Sequence, residues 1–223
     1  MSRVSSNVLV DHFAPADSLL RDALWISGFA LLTAVLAQFY LRLPFTPVPF
    51  TGQTLAVMAS GAVLGSRRGF LSQAVYLALG AMGLPVFAAG ASSFTHLLGA
   101  NGGYLLSFPI AAGLLGWLVE QGASRRTWTL ALALMAADVV ILAVGVTWLW
   151  AFWGGSARNA LLLGFYPFIA SDIVKIVLLG VPLPWLVRGA GGPVVGPERA
   201  EQARRELGIR TETVDSHSSE GME

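Results

Sequence analysis

The chain has 223 residues, 55% hydrophobic and only 12% charged, with a formal net charge of +1; soluble domains carry about 25% charged residues, so this is an integral membrane protein. It has no cysteine and three histidines, which excludes disulfides, thiolate catalysis and cysteine-ligated zinc, and its near-neutral charge argues against nucleic acid as a partner. A hydrocarbon core of about 30 Å takes about 20 apolar residues per helical crossing, which leaves room for about six crossings and little else.

Residues 1–22 carry Asp11, Asp17 and Asp22 and lack an apolar core, so they are expected to form a cytoplasmic N-terminal segment instead of a cleaved signal peptide. Apolar runs, read against glycine, proline and charge, place crossings near 23–43, 52–66, 68–84, 102–121, 127–150 and 160–187. The expected fold is therefore an all-α transmembrane bundle over residues 23–187, with ordered outer loops. The second and third runs are short and meet at Gly65-Ser66-Arg67-Arg68-Gly69, which reads as a tight turn between two helices. Residues 188–223 read as a polar cytoplasmic tail, partly disordered.

Orientation follows from the arginines, because cytoplasmic loops are enriched in basic residues. With six crossings, Arg3, Arg21, Arg67, Arg68, Arg125, Arg126 and the arginines from Arg188 onward share one side, and only Arg42 and Arg158 fall on the other. Both termini are expected in the cytoplasm and the chain in the bacterial inner (plasma) membrane.

Between the first two crossings lies Leu43-Pro44-Phe45-Thr46-Pro47-Val48-Pro49-Phe50-Thr51-Gly52-Gln53. Its closely spaced prolines do not continue a helix and favour extended backbone. Irregular backbone near membrane depth is tolerated where it is buried or lines a cavity; Thr51 and Gln53 are thus placed at a site, against the alternative of a rigid connector. The second outer loop runs from Gly80-Ala81-Met82-Gly83-Leu84-Pro85-Val86-Phe87 to Gly99-Ala100-Asn101-Gly102-Gly103-Tyr104. Asn101 offers donor and acceptor, Tyr104 an apolar face with a polar tip, and the paired glycines permit either close ligand approach or tight helix packing.

The single lysine, Lys175, lies deep in the last apolar run, three residues after Asp172. Spacing i, i+3 puts both side chains on one helix face, and a charge in a membrane helix costs about 2.5–3.5 kcal/mol on insertion scales, so such groups are paired and functional. The pair suits a polar ligand or a structural lock between helices. Asp138, near the middle of the fifth crossing, is expected beside it, either orienting the lysine or capping a neighbouring helix. No phosphate-cradling Gly-x-x-x-x-Gly-Lys-Ser/Thr pattern occurs, because the lone lysine follows a valine.

Together, Pro44–Gln53, Gly80–Phe87, Gly102–Tyr104 and Asp172–Lys175 resemble the BioY family, the biotin-binding substrate-capture (S) components of energy-coupling-factor transporters. The resemblance runs from about Ala34 to Leu179. In place of the family's Gly-Pro-Thr-Gly-Gly-Tyr this chain has Gly-Ala-Asn-Gly-Gly-Tyr, so Asn101 occupies a threonine-like position. The resemblance implies a six-helix substrate-binding domain with biotin held in its outer half, Asp172 and Lys175 matching the family's polar pair on the last helix and Tyr104 its loop tyrosine. Asn101, Gln53 and Thr51 join the expected binding residues from the reading of the loops above, with Asp138 behind them. It implies a membrane coupling subunit (EcfT-like) and two ATPases as partners, with Ala30 and Ala34 on the first helix as the small-residue coupling surface. No catalytic residue, metal or cofactor is expected, and self-association is left open. Two rivals stand beside this reading: a secondary transporter using Asp138, Asp172 and Lys175 as a proton relay, and an intramembrane enzyme, for which His96 is the one available base.

Overall fold

The computed structural model describes residues 19–153 and 156–185, all within one compact unit, Met1–Ala190. The expectations for residues 1–18 and for the C-terminal tail fall outside these residues.

Helix α1 (Leu19–Ala37) ends short of the expected residue 43 because the chain turns into a ribbon, with β1 (Tyr40–Leu41) antiparallel to β2 (Phe50–Thr51). The inward face of α1 is Ala30, Thr33, Ala34 and Ala37, while Leu24, Leu31 and Val35 point outward. Ala30 and Ala34, the expected coupling surface, are 1% and 8% exposed and pack within the chain. Gln73 fixes that packing from across the interface, its Nε2 donating to Thr33 Oγ1 and to Ser60 Oγ, each at 3.1 Å.

Helix α2 (Gln53–Ala81) is a hairpin. Gly65 has φ +82° and ψ −175°, a backbone that breaks a helix and that L side chains rarely adopt. Gln53 bonds to Tyr76, whereas in an unbroken helix the two would stand about 35 Å apart. The arms are therefore 53–64 and 66–81, with the turn where the sequence placed it. The Glu120 carboxylate caps the second arm, accepting from Ser66 N at 2.7 Å and from Ser66 Oγ at 2.8 Å. It thereby satisfies an amide that a helix start leaves without an intrahelical partner.

The second outer loop holds the short α3 (Phe94–Leu97). Then come α4 (Gly102–Glu120), α5 (Thr127–Trp153), α6 (Ala157–Gly164) and α7 (Tyr166–Gly180). Helix α4 runs through the middle, packed on the α2 hairpin on one side and on α5 on the other; α1 covers the hairpin, and α6 and α7 lean on α5. Among the described residues, four stretches are long and apolar enough to cross a membrane: Leu19–Ala37, Gly102–Glu120, Thr127–Phe152 and Ala157–Trp185. The α2 arms reach only about 18 and 24 Å at 1.5 Å per residue, so the expected crossings resolve into four long passes and two short arms.

The last pass is broken where the sequence suggests one helix over 160–187. Pro167 sits in the first turn of α7 and lacks the N–H that would bond to the Leu163 carbonyl. Thr46 Oγ1, from the proline-rich loop, donates to that carbonyl instead, at 2.6 Å. The next carbonyl, Gly164, takes the Tyr104 hydroxyl at 2.8 Å. The break thus ties the first outer loop and the start of α4 to the last pass.

Candidate functional site

These ties converge on a cavity among the first outer loop, the second outer loop, α4, α5 and α7, with about 620 Å³ of space not filled by protein, part of it open to the exterior. Small-molecule sites combine mostly apolar walls with few polar groups, as this cavity does. Thr51, Gln53, Asn101, Tyr104, Asp138, Asp172 and Lys175 all line it. They come from five separate segments and meet only through the fold.

Lys175 Nζ lies 2.8 Å from Asp172 Oδ1, with side chains 13% and 6% exposed. The opposite face of α7, Ile173, Val174, Val177, Leu178 and Val181, is more than half exposed and apolar, as a lipid-facing surface requires. Helical periodicity therefore turns the two charged groups inward together. Asp138 on α5 lines the same cavity, close enough to Asp172 and Lys175 to interact electrostatically with both. Two carboxyl groups thus surround one ammonium, in a place from which water is largely excluded.

The remaining polar groups divide into occupied and open. Gln53 Oε1 accepts from Thr51 Oγ1 at 2.9 Å, and its Nε2 donates to Tyr76, which shapes the wall between β2 and the hairpin. Tyr104 gives its hydroxyl hydrogen to Gly164, so it presents the cavity with ring, not donor. Asn101 Oδ1 and Thr54 Oγ1, by contrast, are buried without a hydrogen-bond partner, and both residues line the cavity. A buried polar group left unpaired costs about 1–3 kcal/mol, a penalty that a ligand offering the complementary group removes.

The paired glycines do serve tight packing. A Cβ on Gly102 would run into the Leu97 carbonyl, and one on Gly103 into Trp148. Trp148 Nε1 in turn donates to Gly99 O at 2.9 Å. These contacts seat Asn101 at the start of α4 with its side chain not spent on capping.

Sequence reading missed the aromatic walls. Phe50 stacks on Phe168 at 4.5 Å between ring centres, Phe87 stacks on His96 at 5.4 Å, and Phe87, His96, Phe108 and Phe168 all line the cavity. Desolvation holds the His96 imidazole below its ordinary pKa, which favours the neutral ring against Phe87. In a chain rich in apolar residues a single phenylalanine carries no mark of the cavity; only the Gly80–Phe87 fit hints at it, since a Cβ on Gly80 would strike the Phe87 ring.

The family model for the BioY family matches residues 5–193. The chain belongs to the BioY family. Among its relatives, a protein of Pyrococcus horikoshii named as a probable biotin transporter BioY is 42% identical over 150 residues, 67% of this chain and 86% of that protein. The biotin transporter BioY of Thermotoga maritima is 41% identical over 139 residues, covering 62% of this chain and 80% of its own. The crystal structure of the S-component for biotin from an ECF-type ABC transporter superposes with a TM-score of 0.72 at 24% identity, covering 79% of this chain and 97% of that one. That likeness establishes the S-component fold for this BioY-family chain.

Proposed function

We propose that this chain captures biotin from outside the cell in the cavity beneath its outer loops and delivers it inward. The observation that carries the proposal is the cavity's chemistry, set in a family whose relatives are named as biotin transporters. A paired ammonium and carboxylate stand beside two unpartnered buried oxygens, Asn101 Oδ1 and Thr54 Oγ1, among aromatic walls. Biotin offers what these lack: ureido N–H donors, a ureido oxygen, a carboxylate, and an apolar sulfur ring and chain to lie against the rings. Lys175, Asp172, Asn101, Gln53 and Thr51 form the polar side of the binding site in this reading, Tyr104 an aromatic side, and Asp138 supports the charged pair.

Without a phosphate-binding motif of its own, the chain works as a transporter subunit, not as an enzyme. A membrane coupling subunit and two ATPases supply the energy. It sits in the inner membrane with the Arg67–Arg68 and Arg125–Arg126 turns in the cytoplasm, as their basic charge directs. The closeness of Asp138 to Asp172 supports a second reading, a proton-coupled carrier using Asp138, Asp172 and Lys175.

Equilibrium binding of biotin to the purified protein in detergent, with Lys175→Ala and Asp172→Asn alongside, tests the site. Tight binding abolished by either substitution is expected; a folded protein indifferent to biotin overturns the ligand. Uptake in cells then separates the energy sources, since ATP depletion stops the first mechanism and an uncoupler the second.

A further inference from the structure

Gln38 stands just past the end of α1, outside the cavity, yet its side-chain amide holds one of the cavity's walls. Its Nε2 donates to the Phe87 carbonyl at 3.1 Å and to the Ala34 carbonyl at 3.2 Å, and its Oε1 accepts from Gly90 N at 3.1 Å. One end of the amide is thus anchored on the last turn of α1, and both ends grip the 87–90 turn of the second outer loop.

That turn does not hold its shape by local preference alone. Ala89 has φ +60° and Ser93 φ +90°, values that non-glycine residues seldom adopt. Further anchors are Ser93 N donating to Gly80 O at 2.8 Å and the Tyr76 hydroxyl donating to Val86 O at 3.2 Å. Among these anchors Phe87 is fully buried, edge-on to Tyr76 and stacked on His96, and both Phe87 and His96 line the cavity.

We infer that Gln38 is a positioning residue that sets how long the cavity keeps its ligand, by clamping the Phe87–His96 wall to the end of α1. For biotin as the ligand this rests on the function proposed above. The clamp stabilises the wall in the position that encloses the ligand, so its loss acts mainly on dissociation. Because Gln38 continues α1, a shift of that helix also pulls directly on the wall.

Two variants separate the two ends of the amide. Gln38→Ala removes every contact. Gln38→Glu keeps an acceptor for Gly90 N–H but sets an oxygen against the Phe87 carbonyl, where no hydrogen bond forms. Stopped-flow measurement of biotin binding to the full-length protein is expected to give dissociation about tenfold faster in both variants, from the loss of one or two hydrogen bonds, with association little changed. Amide hydrogen exchange of the ligand-free protein is expected to show Gly90, left with only its bond to Phe87 O within the turn, exchanging faster in Gln38→Ala and close to wild type in Gln38→Glu. Dissociation rates equal to wild type in both variants overturn the inference. If the wild-type protein fails to bind biotin, the ligand proposal falls by itself; Gly90 exchange unchanged in Gln38→Ala then overturns the clamp, and faster exchange upholds it.

Discussion

Thr46 donates its hydroxyl hydrogen to the carbonyl of Leu163, 2.6 Å away, taking the place of the amide hydrogen that Pro167 lacks. A residue of the first outer loop thereby repairs a break in the last membrane pass, and the break gives α7 its own position against the cavity.

Thr46→Val is expected to leave that carbonyl unpaired and to lower stability by about 1–3 kcal/mol, the cost of an unsatisfied buried acceptor. Thr46→Ser retains the hydroxyl and should fall much less. Thermal unfolding in detergent compares the two. A smaller loss of biotin affinity should accompany Thr46→Val, because Val48 and Pro49 follow directly in the cavity wall.

Lys175→Ala is expected to weaken biotin binding by about 100-fold, since removing one member of a desolvated charge pair leaves the other uncompensated. Here the residual charge is worse than usual, with Asp138 and Asp172 then facing each other. Arg158 lies at an exposed position, and Arg158→Ala should bind as wild type. Calorimetric titration reads both, and equal losses would move the site elsewhere.

Asn101→Ala removes a buried oxygen that has no partner within the chain. Stability of the ligand-free protein should hold or rise, while biotin affinity drops about tenfold with one ligand hydrogen bond. A matched fall in both would assign Asn101 to the scaffold.

Tyr104→Phe tests the reverse case. Its hydroxyl serves Gly164 and not the cavity, so stability should fall by about 1–2 kcal/mol with biotin affinity changed severalfold at most. Chemical unfolding followed by a binding titration distinguishes this from a direct ligand contact.

His96 gives a pH signature. Desolvation lowers its folded pKa below the ordinary 6.5, so the unfolded chain binds more protons in that range and stability rises with pH. The contribution is complete above pH about 6.5 and is lost as pH falls toward the folded pKa. His96→Gln should flatten the apparent melting temperature between pH 7 and 5 relative to wild type.

Much of this was legible along the chain. The membrane character follows from composition, the hairpin turn from Gly65 at the join of two short apolar runs, and the inward-facing Asp172 and Lys175 from their spacing. The seven polar residues placed at a site share one cavity. Less legible was what each does: Tyr104 spends its hydroxyl on Gly164, and Gln53 spends its amide on Thr51 and Tyr76. The small-residue face of α1 was legible only in part, because spacing shows that Ala30 and Ala34 permit close packing but not against what.

The sequence by itself determined properties that are sums or short periods: hydropathy over about 20 residues, a left-handed glycine, an i, i+3 pair. Each depends on neighbours along the chain, and helix geometry turns it into structure without further information. Tertiary structure alone decided the partners. The bonds Thr46–Leu163, Tyr104–Gly164 and Gln38–Phe87 join residues 117, 60 and 49 positions apart, and the Phe87–His96 wall exists only because α1, the hairpin and the outer loop meet. Such contacts are selected by burial and by which polar groups are left unpaired once helices pack, and that is fixed only when the whole bundle has formed.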